Sequence, residues 1–431
     1  MYERLRAFLG TKLFREVAIT YTGQLLGSGI GFLLQILLQG QLGPDDYGVL
    51  GLAGSVGQLT GVLTDIGLSH AMIRFASPHV SEGRPEQAMT RFAGALLVRF
   101  LLACVVAGVG FASASAIAVG VFAKPALIEP LTWIYIGIFG STLYSFWMFY
   151  IQTWQKFGVR SVVQVVVAVV RALAFTTLWS MSMLTPTTMI MIDGLVPLGG
   201  FALGMAVSPG GWRKVDWKEA STVARTELLP YCRFTGIMVV GDHVFNELDT
   251  FMLGIYDDTH TVGVFRCAWI YSQVLGFLNL SVSNVLFPKV TSVRDAAELR
   301  AQMRRILKFT AVLGVATLPV LPFISWWIPY YQPQYAEAVP VFWVMYVGVV
   351  FELIVGPLGY VLYSLDRPGV LAGNAIFKIV LNFAGNLVMI PWLGALGAAI
   401  ATVFTRVVGG VVALWLIERG LRVRERENAA G

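Results

Sequence analysis

Charged residues are scarce in this chain, since only 13% of its 431 residues are Asp, Glu, Lys or Arg. Soluble domains carry roughly a quarter, so about half of the usual water-facing charge is missing. Hydrophobic residues make up 56% of the sequence, and the mean hydropathy is +0.71. This composition argues against a soluble enzyme, a disordered chain and a nucleic-acid-binding protein. It indicates a protein whose solvent is largely lipid.

Sequence signals of catalysis and of ATP hydrolysis are also missing. The chain has no G-x-x-x-x-G-K-[ST] motif, and no nucleophile elbow, dinucleotide fingerprint or metal-ligand cluster stands out. Its three cysteines, an odd number, give no disulfide framework. The basic segment 1–16 lacks the apolar core of a cleavable signal peptide, so we expect none. We therefore predict a protein that is not an enzyme and that holds no cofactor and no metal.

Apolar runs recur along the whole chain, with the length expected of helices that cross a bilayer core of ~30 Å. The runs are too long for strands and lack strict alternation. We predict an all-α, multi-pass membrane protein with twelve transmembrane helices. The predicted spans are 16–41, 48–75, 90–122, 126–154, 159–183, 188–207, 228–255, 261–288, 306–328, 336–363, 369–392 and 394–417.

Basic residues concentrate on one side of this predicted bundle. With the N-terminus in the cytoplasm, 24 of the 31 Lys and Arg residues fall in cytoplasmic segments or within two positions of a cytoplasmic span end, and only Lys124 falls in an outer loop. Such a bias follows the positive-inside rule. It predicts that both termini are cytoplasmic and that the outer loops are short.

The predicted spans form two halves of six. In each half a glycine after the first outer turn precedes a basic residue by 26 positions: Gly48 and Arg74, then Gly263 and Lys289. Two halves with the same orientation predict a parallel repeat, with a site between two six-helix lobes. The predicted domains are an N-terminal lobe at 1–207, a cytoplasmic interlobe loop at 208–227, a C-terminal lobe at 228–417 and a basic cytoplasmic tail at 418–431.

Three stretches carry a family likeness. They are LGPDDYGVLGLAGS leading to LTDIGLSHAMIRF (42–75), ELDTFMLGIYDDTHTVGVFRCAW (247–269) and NFAGNLVMIPWLGALGAAIAT (382–402). Their order resembles the polysaccharide-transporter branch of the multidrug/oligosaccharidyl-lipid/polysaccharide exporter superfamily, in particular its O-antigen and lipid-linked oligosaccharide flippases. Arg266 departs from the pattern, because the family usually has a small residue there.

The resemblance implies a flippase of the bacterial cytoplasmic membrane that serves cell-surface polysaccharide biosynthesis. It implies two lobes around a cavity that opens alternately to either side, and a sugar chain on a polyprenyl pyrophosphate as substrate. It makes coupling to H⁺ or Na⁺ plausible. Besides membrane lipids, a polysaccharide polymerase and glycosyltransferases are the expected partners, and no nucleic acid is expected.

Twelve Asp, Glu, Lys and Arg residues lie at least five positions inside the predicted spans. A charge at the bilayer centre costs ~2.5–3.5 kcal/mol on insertion scales. A cationic cavity would attract a pyrophosphate lipid, and Arg suits bidentate phosphate recognition. The candidate substrate-binding residues are Arg99, Arg171, Arg266, Asn374, Lys378, Asn382, Asn386 and Arg406. The candidate ion-coupling residues are Asp65, Asp242, His243, Glu247, Asp249 and Glu352. For each basic residue the alternative is a structural ion pair within the bundle.

Two helices have informative polar patterns. In the eleventh span, four residues spaced by four form one stripe that cannot face lipid: Asn374, Lys378, Asn382 and Asn386. The stripe either lines the cavity or hydrogen-bonds neighbouring helices. The seventh span holds GDHVFNELD (241–249), an Asp/His/Glu group that could relay protons or hold a cation. Its alternative is a His243 satisfied by Glu247 one turn away.

Other functions stay open at this stage. A multidrug/cation antiporter of the same superfamily would have a more acidic and apolar cavity. A lipid II flippase usually carries two further helices, for which this chain has no room. A membrane-embedded glycosyltransferase or polymerase needs a larger catalytic loop than the short outer loops predicted here.

Overall fold

The computed structural model describes residues 12–209, 211–291, 295–364 and 368–430. These ranges are helical almost throughout and contain no strand, which confirms the predicted all-helical class. The remaining residues of the predicted lobes, loops and tail lie outside the description. Within it, eight helical runs are long and apolar enough to cross a membrane: Thr22–Ser81, Pro85–Val121, Pro125–Thr153, Phe157–Ser180, Pro186–Ala206, Ala297–Tyr331, Ala338–Tyr360 and Gly373–Glu425.

The principal helices follow one another with short connections. They are α1 (Lys12–Gly61), α2 (Leu68–Ser81), α3 (Pro85–Ala116), α4 (Ile128–Thr153), α5 (Phe157–Ser180), α6 (Pro186–Ala206), α7 (Trp217–Val223), α8 (Leu229–Tyr256), α9 (Thr259–Thr291), α10 (Ala296–Ala316), α11 (Val320–Tyr331), α12 (Ala338–Val355) and α13 (Pro368–Ala430).

Glycine permits the sharp bends in this helical chain. Helix α1 bends at Gly43 and α13 at Gly394, where φ is +75° and +53° respectively. A third break separates α1 from α2, because Gly67 also has a positive φ, of +85°. L side chains rarely adopt such backbone angles, whereas glycine does so without steric cost. The break at Gly67 falls inside the predicted second span. A new helix therefore begins there, and its first backbone N–H groups have no partner within the helix.

The chain forms two compact units. Unit 1 comprises Met1–Leu38 and Ala53–His243, and unit 2 comprises Gln39–Leu52 and Val244–Gly431. The core of unit 1 contains a cluster of aromatic side chains from α3 and α4, formed by Phe92, Phe146, Trp147 and Tyr150. The core of unit 2 includes Leu299 and Ile306 of α10, packed with Leu358, Leu362, Ile417 and Leu421.

Unit 2 also contains a reciprocal backbone contact between Gly48 and Gly263. A Cβ on Gly48 would collide with the carbonyl oxygen of Thr259, and a Cβ on Gly263 would collide with that of Pro44. Each glycine therefore meets the carbonyl group four residues before the other glycine. This approach is possible because both positions lack a side chain.

Candidate functional site

Asp65 and Arg99 form an ion pair at the break between α1 and α2. Arg99 donates to the Asp65 carboxylate and, at 2.6 Å, to the Ser69 hydroxyl. The same carboxylate accepts the backbone N–H of Ser69 at 2.9 Å and so caps the first turn of α2. Arg99 is fully buried, with 1% of its surface exposed. The structure thus brings together a candidate substrate-binding residue and a candidate ion-coupling residue as partners of one another.

Arg171 on α5 makes a bidentate ion pair with Asp193 on α6. Its Nε and Nη2 donate to the two carboxylate oxygens at 2.6 and 2.9 Å. Both side chains are partly exposed. Two parallel charge-assisted bonds fix the guanidinium plane. This geometry favours the structural alternative for Arg171 in the conformation described here.

Glu247 on α8 pairs with Arg266 on α9, with 3.3 Å between Arg266 Nη1 and Glu247 Oε2. The aliphatic stem of Arg266 lies against Gly51, where a Cβ would come within 2.9 Å of its Cγ. The partner of Glu247 is therefore an arginine of the next helix. Elsewhere on α8, His243 is half-buried and Asp242 is exposed. The polar group predicted at 241–249 is thus spread over several environments.

Asp249, further along α8, lies in a closed polar network. Its carboxylate accepts hydrogen bonds from the amides of Asn382, at 3.2 Å, and Asn386, at 2.6 Å, and from the hydroxyl of Thr402. The Asn382 amide also donates to Thr402 at 3.0 Å, and the Asn386 amide donates to the Asn382 oxygen at 3.2 Å. All four residues are buried. Neutral donors from α13 thus satisfy a buried carboxylate, as burial of a charge requires.

The half of the α13 stripe that contains Asn374 and Lys378 borders a cavity of about 170 Å³ between α12 and the two arms of α13. Glu352, Asn374, Lys378 and Arg406 contribute its polar groups. Arg406 pairs with Glu352 at 3.1 Å, and Asn374 donates to the carbonyl oxygen of Gly409 at 3.3 Å. Within the described ranges Lys378 forms no ion pair. Its ammonium lies 5.1 Å from the ring centroid of Phe245, a cation–π distance.

The predicted stripe on α13 is therefore divided. Asn382 and Asn386 hydrogen-bond Asp249 of α8, whereas Asn374, which hydrogen-bonds Gly409, and Lys378 border the cavity. The hydrogen-bonding alternative therefore describes Asn374, Asn382 and Asn386 in this structure, whereas a stripe that lines a cavity between the two lobes stays a prediction. Lys378 and Arg406 are the two basic candidates that the structure brings together.

Two residues that take part in these contacts were not predicted from the sequence. Thr402 was not a candidate, although it lies one helical turn before Arg406 and so shares its face. Asp193 was not among the candidate residues either, yet it pairs with Arg171. The signal for that pair is position, because both residues lie 11 positions from Ser182 in the connection between their helices.

A family model described as polysaccharide biosynthesis protein matches residues 40–328, more than half of the chain. The chain belongs to this family. The match begins before the bend at Gly43 and includes Asp65, Arg99, Arg171 and Asp249. The polar residues of α13 lie beyond its end.

Curated relatives give a consistent result. The chain is 27% identical to the probable flippase AglR of Haloferax volcanii over 43% of this chain and 41% of that protein. It is 21% identical to the probable low-salt glycan biosynthesis flippase Agl15 of the same organism, over 49% of this chain and 45% of that protein. The matches thus span less than half of each relative. They confirm the resemblance to glycan flippases that the sequence motifs indicated.

Solved structures show the fold. An inward-facing multidrug resistance MATE family transporter of the MOP superfamily matches 96% of this chain and 99% of its own, with a TM-score of 0.76 and 13% identity. The lipid II flippase MurJ in an inward closed conformation matches 95% of this chain and 90% of its own, with a TM-score of 0.68 and 14% identity. At these identities the likeness concerns the fold alone.

Proposed function

We propose that this protein is a flippase that moves a polyprenyl-pyrophosphate-linked oligosaccharide across a cytoplasmic membrane for cell-surface polysaccharide biosynthesis. The observation that carries the proposal is the pair of basic groups, Lys378 and Arg406, at one cavity inside apolar helices. Basic groups at such positions are costly unless they serve a substrate or a structural pairing. The family to which the chain belongs supplies a reason for them, because a pyrophosphate lipid is anionic.

We further propose twelve membrane crossings with both termini in the cytoplasm of a bacterial cell. Two of the eight apolar runs bend, at Gly43 and Gly394, and each would provide two crossings. Helices α8 and α9 would add two more. The reciprocal contact of Gly48 and Gly263 supports a repeat that relates the predicted lobes 1–207 and 228–417, because equivalent positions meet equivalently across a two-fold axis.

Transport in this proposal proceeds by alternating access and draws on an ion gradient. Asp249 accepts hydrogen bonds from the amides of Asn382 and Asn386 and the hydroxyl of Thr402. Rotation of these groups would instead present their oxygens, the ligands that suit a hard cation. A proton on the carboxylate is the other way to neutralise it. Either ion drives transport only if it binds two conformations with different affinity.

The coupling proposal makes a prediction for Asp249→Asn. This variant keeps the size and polarity of the side chain but loses its charge, so we expect transport to lose most of its dependence on pH or sodium. Binding of the substrate should change less. The measurement is flipping by reconstituted protein with and without imposed proton and sodium gradients. Wild-type flipping at equal rates in all conditions would show that no coupling exists.

The central test is reconstitution of the purified protein in liposomes with a fluorescent lipid-linked oligosaccharide. We expect the wild-type protein to accelerate flipping, Lys378→Ala to reduce it and Lys378→Arg to retain part of it. Lys308→Ala, on the exposed face of α10, is the matched control because it removes one positive charge elsewhere. Wild-type protein without flipping activity would refute the function. Undiminished flipping by Lys378→Ala would refute the role of the cavity.

The proposal also places the protein among partners of the same biosynthesis. A flippase delivers its cargo to the outer face, where a polysaccharide polymerase would use it. Glycosyltransferases on the inner face would supply it.

A further inference from the structure

We propose that the cavity between α12 and α13 is a phosphate-binding subsite in which Lys378 and Arg406 hold the oxyanion and Glu352 competes with it. The proposal rests on the proposed function only for the source of the phosphate. The cavity is separate from the Asp249 network, whose donors are used internally. Its lining residues all belong to unit 2.

Charge is the first argument for an anionic ligand. Lys378 has no carboxylate partner within the described ranges, and its ammonium lies 5.1 Å from the centroid of the Phe245 ring. Arg406 engages Glu352 through Nη1, while its Nε is buried without a hydrogen-bond partner in the described part of the chain. Two positive groups and one negative group leave the cavity with one positive charge. An anion would supply the missing counter-charge.

The geometry of the donors selects the class of anion. An arginine presents a planar fork that fits two oxygens of one phosphate, and a lysine adds a point charge with rotatable donors. A cavity of about 170 Å³ has the volume of about six water molecules at ~30 Å³ each. This volume accommodates a phosphate or diphosphate group but not an oligosaccharide. The sugar chain would therefore lie elsewhere.

The Glu352 carboxylate competes with a bound phosphate for the guanidinium of Arg406. One oxygen of this carboxylate lies 3.1 Å from Nη1 of Arg406. A phosphate that binds Arg406 must displace this carboxylate or share the fork with it. Removal of the Glu352 charge should therefore strengthen anion binding, whereas a purely structural ion pair predicts only a loss of stability.

The test measures binding of inorganic diphosphate, inorganic phosphate and glycerol phosphate to the full-length protein in detergent, by the shift in thermal unfolding at rising ligand concentration. We expect Lys378→Met to weaken diphosphate binding about tenfold or more, as loss of a charge-assisted bond does. Lys378→Arg should restore most of the affinity, Glu352→Gln should increase it, and Lys308→Met should leave it unchanged. Stronger binding of diphosphate than of glycerol phosphate assigns the site to the substrate head, and equal binding assigns it to phospholipid headgroups.

Two results would overturn the subsite. One is a wild-type protein without a saturable response to any of the three anions. The other is a Glu352→Gln variant that loses binding in parallel with Lys378→Met, because the pair would then be structural. This assay measures binding without transport. A negative result would therefore refute the subsite and leave the flippase function to be tested by the liposome assay. Conversely, a wild-type protein that binds diphosphate but flips nothing retains the subsite and loses the function.

Discussion

Asp65→Asn isolates the energetic role of the ion pair at the break between α1 and α2. The Arg99 side chain is 2% exposed and that of Asp65 is 21% exposed, so the guanidinium is the more completely desolvated partner. Removal of the aspartate charge leaves an unpaired cation in a buried site, which costs about 3–5 kcal/mol of folding stability. Asparagine keeps an oxygen that can accept the Ser69 N–H, so the cap of α2 is retained and the loss reports the charge.

The companion variant Arg99→Met separates the two partners. It removes the buried cation and leaves Asp65 partly exposed, still bonded to the Ser69 N–H. We expect a smaller cost of about 1–3 kcal/mol, the penalty of a weakened polar contact. The double variant Asp65→Asn/Arg99→Met should be more stable than Asp65→Asn alone, because no unpaired charge remains.

Unfolding by SDS in mixed micelles measures these differences, and Cys232 offers a local probe. Cys232 is 4% exposed and lies within electrostatic range of both Asp65 and Arg99. In a background with the exposed Cys104 replaced by Ser, maleimide should label Cys232 faster in Asp65→Asn than in the wild-type protein. An Asp65→Asn variant within about 1 kcal/mol of wild type, or a double variant less stable than it, would refute the reasoning from buried charge.

Two further predictions concern packing and topology. Gly48→Ala and Gly263→Ala should each lower folding stability by about 1–3 kcal/mol, because the added methyl group overpacks against a carbonyl oxygen. Gly54→Ala is the control, since Gly54 faces open space and its replacement should not lower stability. Thermal unfolding in detergent compares the three variants. In intact cells, a membrane-impermeant maleimide should label Asp45→Cys but not Lys214→Cys, and labelling at the second site would reverse the proposed orientation.

The sequence was sufficient for the helical class, because long apolar runs and scarce charge leave few other structures in a membrane. It also located the stripe on α13 by its four-residue spacing. The division of that stripe was not predictable, since spacing gives a common face without saying what each turn of the helix meets. Whether a polar residue meets the carboxylate of Asp249 or a cavity depends on the packing of other helices against α13.

The distance of each charge from the connection between two helices predicts which charges pair. Eight of the twelve charged residues that lie at least five positions inside the predicted spans form four ion pairs. Two pairs join consecutive helices, α5 with α6 and α8 with α9, and a third joins Asp65, just before α2, to Arg99 on α3. Two residues at equal distance from a tight connection between antiparallel helices lie at the same depth, because both helices rise by 1.5 Å per residue.

In the three pairs that lie on either side of a helix connection, the two charges are nearly equally distant from that connection. Asp65 lies 17 positions before Glu82 in the connection between α2 and α3, and Arg99 lies 17 positions after it. Glu247 lies 10 positions before Asp257, and Arg266 lies 9 positions after it. Opposite charges at equal distances on either side of a connection therefore indicate a structural ion pair from the sequence alone. Lys378 lies 16 positions before the bend at Gly394, and the position 16 after that bend is Gly410, so Lys378 has no charged partner of this kind across it. A charge without a symmetric partner is the better indicator of a ligand than depth in the membrane alone.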